Sequence, residues 1–126
     1  MSNCQRILYH LCLLLLPYSL HEQLISQSEA DSLLRILPHS KPDTNRVKVL
    51  LRLDEYKRYK PGESKADLHS ARIYARQARV LSHKLGDYHI EAKTLNQLGF
   101  INRESKDFHL AFAFHQAATN LFYQPL

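Results

Sequence analysis

Apolar residues recur along this chain at three- and four-residue spacing, the period of a helix that packs on one side. Beyond residue 25 no stretch alternates apolar and polar positions for long enough to predict a strand. Ser26-Gln27-Ser28-Glu29 has the form of a capping box, and Leu33, Leu34 and Leu37 follow as an apolar stripe that Pro38 stops. His39 to Asp43 reads as a loop. Asp43 or Thr44 can cap a second helix running to about Tyr59, with Val47, Leu50, Leu51, Leu53 and Tyr56 inward. Lys60-Pro61-Gly62-Glu63 breaks it. Ser64-Lys65-Ala66-Asp67 is a second capping box. It opens a helix to about Leu85 that carries Leu68, Ala71, Tyr74, Ala75, Ala78 and Leu81 on one face, with Gly86 suited to the left-handed position just past its end. A fourth helix over about Tyr88 to Glu104 turns Ala92, Leu95, Leu98, Gly99 and Ile101 inward. Ser105-Lys106-Asp107 then connects to a fifth over about Phe108 to Phe122. The pattern predicts an all-α chain of helices joined by short turns.

Composition narrows the class. The chain has 126 residues, room for one small domain or a few repeats, and is 44% hydrophobic and 23% charged, which suits a folded chain. With only three Gly and five Pro it lacks the turn material of an all-β sandwich or barrel. Gly62, Gly86 and Gly99 stand alone, so no glycine-rich phosphate loop exists. Net charge is +5, concentrated in residues 41–84, which hold twelve Lys/Arg against five Asp/Glu. Such a basic middle can attract nucleic acid or an anionic surface, or can be a set of solvated helix faces. The basic residues form no run, and no RNA-binding sheet motif or zinc-finger spacing accompanies them. Tyr56-Lys57-Arg58-Tyr59-Lys60 could stack on bases, or end a helix with lysines reaching to solvent.

The N-terminus differs. Residues 7–16 are an apolar run behind Arg6, closed by Pro17. It has the form of a secretory signal's charged start and apolar core, and falls short of the roughly 20 residues that span a bilayer. One basic residue precedes it, His10 interrupts it and no small-x-small cleavage site follows. We divide the chain into an apolar leader at 1–22, a signal or an anchor, and a helical domain at 23–126. The leader would make the protein exported or membrane-anchored, periplasmic-like, and its only membrane contact. If the run is instead a buried core helix, the protein is cytoplasmic. Cys4 and Cys12 both fall in the leader, so disulfides cannot brace the folded part.

A repeat signal lies across the fourth and fifth helices. Leu95, three residues before Leu98-Gly99, is followed by an aromatic at Phe108 and small residues at Ala111 and Ala118. This spacing resembles the tetratricopeptide repeat (TPR), a helix pair that stacks on its neighbours. The resemblance covers about residues 92–125, with Asn102 and His115 in positions usually aromatic. Gly99 and Ala111 would let the two helices cross closely, with Leu95, Leu98 and Phe108 filling the space beside them. A degenerate unit precedes it. Leu50 and Leu53 anchor its first helix, Leu68, Ala71, Ala75 and Ala78 its second, and Asp54 stands in place of the crossing Gly. The resemblance implies an antiparallel helix-pair array, a TPR-like α-solenoid of about two and a half repeats. Residues 29–59 also look like the start of TPR regions ahead of the membrane span in bacterial envelope sensor histidine kinases. That likeness implies an exported sensory module or a fragment of a signalling protein. Since about three repeats are normally needed to bury a continuous core, Phe112, Phe114, Leu121 and Phe122 are expected to form a sticky face that self-associates or meets a partner.

The polar residues offer little catalytic chemistry. His83 and His89 flank a helix break, and His109 and His115 lie six apart, so neither pair has the i, i+4 spacing of two ligands on one helical face. His115 is expected in the aromatic slot and the other histidines on the surface. Glu29/Asp31 and Asp54/Glu55 read as caps and surface charges rather than acid/base pairs. We expect no cofactor, no metal and no enzymatic activity. In TPR proteins the first helix of each repeat lines the groove. Carried over by position, the resemblance places Lys93, Asn96, Phe100, Arg103 and Glu104 there in the better unit, and Lys48, Leu51, Glu55 and Arg58 in the weaker one. Such a mixture could clamp an acidic peptide or C-terminal carboxylate with Phe100 as anchor, unless the groove is unused or self-covered. The competing readings are a basic module that binds nucleic acid or an anionic surface through residues 41–84, and a small metal-dependent enzyme.

Overall fold

The computed structural model describes residues 2–7 and 24–125. Residues 3–7 are helical. From Gln27 onward come α1 (Gln27–Ile36), a single 3-10 turn (Leu37–His39), α2 (Thr44–Tyr59), α3 (Lys65–Leu85), α4 (Tyr88–Glu104) and α5 (Phe108–Phe122). No strand occurs among the described residues. Residues 8–23, which hold most of the apolar run, lie outside them. No helix of the described residues is long and apolar enough to cross a membrane.

Each helix starts where a short polar side chain can satisfy its first free N–H groups. Ser26 Oγ accepts from Glu29 N at 3.1 Å, and Asp43 Oδ1 accepts from Asn45 N at 2.9 Å. The second capping box forms in both directions. Asp67 N donates to Ser64 Oγ at 3.3 Å, and Ser64 N donates to Asp67 Oδ2 at 3.0 Å. Asp87 and Asp107 cap α4 and α5 through the N–H groups of Ile90 and Leu110. Gly86 ends α3 at φ +67, as its position predicts.

The helices pack as successive neighbours, α2 on α3, α3 on α4, and α4 on α5, while α1 lies on α2. One face of α3 is a strip of alanines. Ala71, Ala75 and Ala78 are fully buried, and their small side chains bring neighbouring helices close. Ala78 packs with Val47, Leu50 and Leu51 of α2, while Ala71 and Ala75 pack with Leu98 and Ile101 of α4. Ala92 and Leu95 of α4 close on Ala118 of α5, with Phe114 and Leu121 at the edge. Gly99 faces α5 so closely that a Cβ there would sit 2.6 Å from His115 Cε1. The three nearest atoms all belong to the His115 ring, so what approaches Gly99 is a side chain rather than Ala111.

Several expectations about individual residues need correction. Phe108 does not fill the space beside Gly99; it is 65% exposed, and the His115 ring takes that place. Leu34 is exposed, and Ala30 carries the buried face of α1. Phe114 and Leu121 are half-buried against α4, leaving Phe112 and Phe122 exposed with Phe108 and Tyr123. Asp54 is not a surface charge but is fully buried. Arg58 is buried too, so the Tyr56–Lys60 stretch is not simply a solvated helix end; Lys57 and Lys60 pair with Asp67 at 3.6 and 3.0 Å.

Candidate functional site

α2 also touches α4. Between them runs a groove of about 500 Å³. Lys48, Leu51, Arg52, Glu55 and Tyr59 reach it from α2 because they recur at three- and four-residue steps along one face. Lys93, Gln97 and Phe100 answer from α4 for the same reason.

The groove rests on a buried polar network centred on Arg58. Its Nε donates to Asp54 Oδ1 at 3.1 Å, one helical turn back. Its Nη1 donates to Tyr59 Oη at 3.1 Å and lies 3.7 Å from Glu104 Oε1; its Nη2 donates to Gln97 Oε1. Gln97 Nε2 in turn donates to Glu55 Oε1 at 3.0 Å. The guanidinium stacks 4.7 Å from the Tyr59 ring centre and 5.7 Å from that of Phe100. Asp54 Oδ2 and Glu104 Oε2 are buried without a hydrogen-bond partner among the described residues. Burial pushes the Asp54 carboxyl up to about 7, although the charge of Arg58 pulls the other way. Burial raises Glu104 as well, again against Arg58. For Arg58, burial works against the charged form, yet Asp54 beside it holds the guanidinium above its ordinary value.

Six of the nine residues expected in the groove line it: Lys48, Leu51, Glu55, Arg58, Lys93 and Phe100. The other three do not. Asn96 lies on the side of α4 that faces α5, with Oδ1 3.0 Å from His115 Nδ1. Arg103 places its guanidinium 5.1 Å from the Phe100 ring centre. Glu104 meets Arg58 from the end of α4 and lines a different cavity. Gln97, Arg52 and Tyr59 were missed. For Gln97 a signal existed: it stands four residues after Lys93 and three before Phe100, on the stripe that joins them.

No protein family, curated protein or solved structure matches this chain.

The remaining candidates resolve into local contacts. His115 sits edge-on to Phe100, ring centres 4.9 Å apart, and burial next to Gly99, with Arg103 nearby, lowers its pKa. His83 Nδ1 lies 3.0 Å from Glu91 Oε1, and His89 meets the Phe122 ring. Among the described residues no group of three or more His, Cys, Asp or Glu could hold a metal ion. Of the basic residues at 41–84, Arg52, Lys57, Arg58 and Lys60 are in ion pairs with carboxylates and Arg46 donates to Ser40 O.

Proposed function

We propose that this chain is a non-enzymatic, TPR-like helical array that holds an acidic peptide or a C-terminal carboxylate in the groove between α2 and α4. One observation carries the reading. Lys48 and Lys93 are exposed on the two facing helices and form no ion pair among the described residues, while the groove's carboxylate, Glu55, is occupied by Gln97. The accessible charge is therefore positive, and Leu51 and Phe100 add apolar surface for an anchor side chain. The groove offers no nucleophile with a base beside it, which favours binding over catalysis.

The test is fluorescence anisotropy with a labelled acidic peptide bearing a free C-terminus. Lys48→Glu with Lys93→Glu should weaken binding by about tenfold or more, since each charge-assisted contact is worth on the order of 1.5–3 kcal/mol. Unchanged affinity rejects the groove. Nucleic acid binding through residues 41–84 would instead show a steep salt dependence indifferent to the Lys93 change. The exposed Phe112 and Phe122 support self-association as a second contact. Sedimentation that stays monomeric at high concentration, identical in the wild type and in Phe112→Glu, would remove it. The setting we infer is an exported sensory module, supported by the Arg6-led apolar run. A reporter fused after residue 126 that remains in the cytoplasm would contradict it.

A further inference from the structure

A second cavity, of about 520 Å³, lies where α3 meets the turn between α4 and α5. Lys65, His69 and Arg72 enter it from α3 at i, i+4 and i+7, so they share one helical face. Ser105 and Lys106 enter from the turn. Arg72 Nη2 donates to Ser105 Oγ at 3.1 Å, tying the two sides together, while Arg72 Nε is buried with no acceptor. Among the described residues Lys65, His69, Arg72 and Lys106 form no ion pair. Two lysines, an arginine and a histidine thus surround a space whose lining includes one acid, Glu104, whose Oε2 is itself buried without a partner among the described residues.

Lys106 provides the second observation. It sits at φ +62, in the left-handed region that favours glycine. The preceding turn is built the same way and uses Gly86, at φ +67. In both turns the next residue is an aspartate that caps the following helix and whose N–H reaches back to close the turn. Asp87 N donates to Ser82 O at 3.2 Å, and Asp107 N donates to Asn102 O at 2.9 Å. The same turn is therefore made once with the unstrained residue and once with a strained lysine, at the edge of a cationic cavity. Strain kept at one site where the fold solves it freely at another points to a use for the side chain.

We propose that this cavity binds the phosphate group of a small phosphate ester. A dianion matches the excess of positive charge, and its three terminal oxygens can accept from Arg72 Nε and from the ammonium groups of Lys65 and Lys106. Leu68, half-buried at the cavity wall, offers an apolar surface to the carbon part of the ester. The volume falls in the range of small-molecule sites, well above that of a bare ion. Glu104 is the carboxylate in the lining and opposes the ligand, with Glu63 near enough to act on it; once protonated Glu104 can donate instead. None of the residues lining the α2–α4 groove is used, so the site stands whether or not that groove binds a peptide.

The experiment is an NMR titration of the full chain with inorganic phosphate and with glycerol 3-phosphate, against chloride at matched ionic strength. Saturable shifts should appear at Arg72 Nε–H, the Ser105 and Lys106 amides and the His69 ring, tighter for the ester. Lys106→Gly should weaken the ester about tenfold while raising the melting temperature, a combination that a purely structural lysine would not give. Arg72→Lys keeps the charge, loses the Nε donor and should also weaken binding. Glu104→Gln should tighten it. Shifts no larger than chloride's, or a Lys106→Gly variant with unchanged affinity, overturn the proposal. Binding of a phosphopeptide or of phosphatidate vesicles without binding of the free ester also overturns the assignment to a small molecule.

Discussion

The α2–α3 pair and the α4–α5 pair close by different chemistry. In α4–α5 the contact is made by small residues. Gly99 admits the His115 ring, and Ala111 and Ala118 are buried with Ala92 and Leu95 nearby. In α2–α3 the alanines of α3 supply the close approach, but α2 also buries Asp54 and Arg58. One pair depends on shape alone, while α2 also carries a buried charge pair whose further partners, Gln97 and Glu104, lie on α4. A buried ion pair adds little net stability when complete and becomes a liability when half of it is removed. The two pairs should therefore respond to different perturbations, although their backbones are alike.

The largest expected effect is the loss of Arg58. Arg58→Met keeps much of the side-chain bulk but leaves Asp54, Gln97 and Glu104 without their common donor. Removing one partner of a buried pair costs about 3–5 kcal/mol, measured as the shift in urea unfolding. The cost should be greater at pH 8 than at pH 5, because Asp54 can take up a proton instead of remaining a stranded charge. Equal cost at both pH values would mean that Asp54 is not the charge that Arg58 compensates.

Next comes the pH dependence of the unmodified chain. The Asp54 carboxyl has a folded value of about 7, above its ordinary 3.8. Between those values the folded state holds more protons than the unfolded state, so this contribution to stability is complete below about pH 4 and is lost as the pH rises to about 7. Glu104, also raised, acts in the same direction. His115 acts oppositely. Its lowered pKa favours the neutral ring, so its contribution is present above its ordinary 6.5 and is lost as the pH falls. Asp67, held at about 2 by Lys60 and Ser64, matters only between about 2 and 3.8, where stability rises with pH. The melting temperature should therefore fall from pH 4 to pH 7. Asp54→Asn should flatten the curve by leaving only the opposing contributions of Glu104 and His115. A variant curve parallel to the original would place the proton elsewhere.

Much of the helical frame was legible because helix ends are local events. Ser26, Asp43, Ser64 and Gly86 act within a few residues of chain, and the alanine strip of α3 announces its buried face by spacing alone. What was not legible depends on distant partners. Asp54 looks like any surface acid until Arg58, Gln97 and the floor of the groove are placed around it. Lys106 looks like a solvated turn residue, since a left-handed lysine has no sequence signature. In the groove, extrapolation along α4 found Lys93 and Phe100 but also took in Asn96, which faces His115 of α5, and Arg103, whose guanidinium lies beside the Phe100 ring outside the groove lining. The buried face of α4 was legible, since Ala92, Leu95, Leu98, Gly99 and Ile101 are all buried; where the groove side gives way to the contact with α5 was not, because His115 sets that border.

The smallest effect tests the shape-dependent pair directly. In Gly99→Ala the new Cβ would meet three His115 ring atoms at 2.6, 2.7 and 2.8 Å, so the ring must move. It would give up its contacts with Phe100 and Asn96. Overpacking of this kind costs about 1–3 kcal/mol. Alanine is also a better helix former than glycine by roughly 0.8–1 kcal/mol, which offsets part of the loss. The sign is therefore decided by the ring, and a second substitution shows it. In a His115→Ala background the clash is gone, and Gly99→Ala should become neutral or stabilising, giving a coupling of about 1 kcal/mol or more in a double-mutant cycle. If Gly99→Ala were equally destabilising with and without the ring, the obstacle would be the backbone of α5 rather than a side chain. The two helix pairs would then differ less than their chemistry suggests.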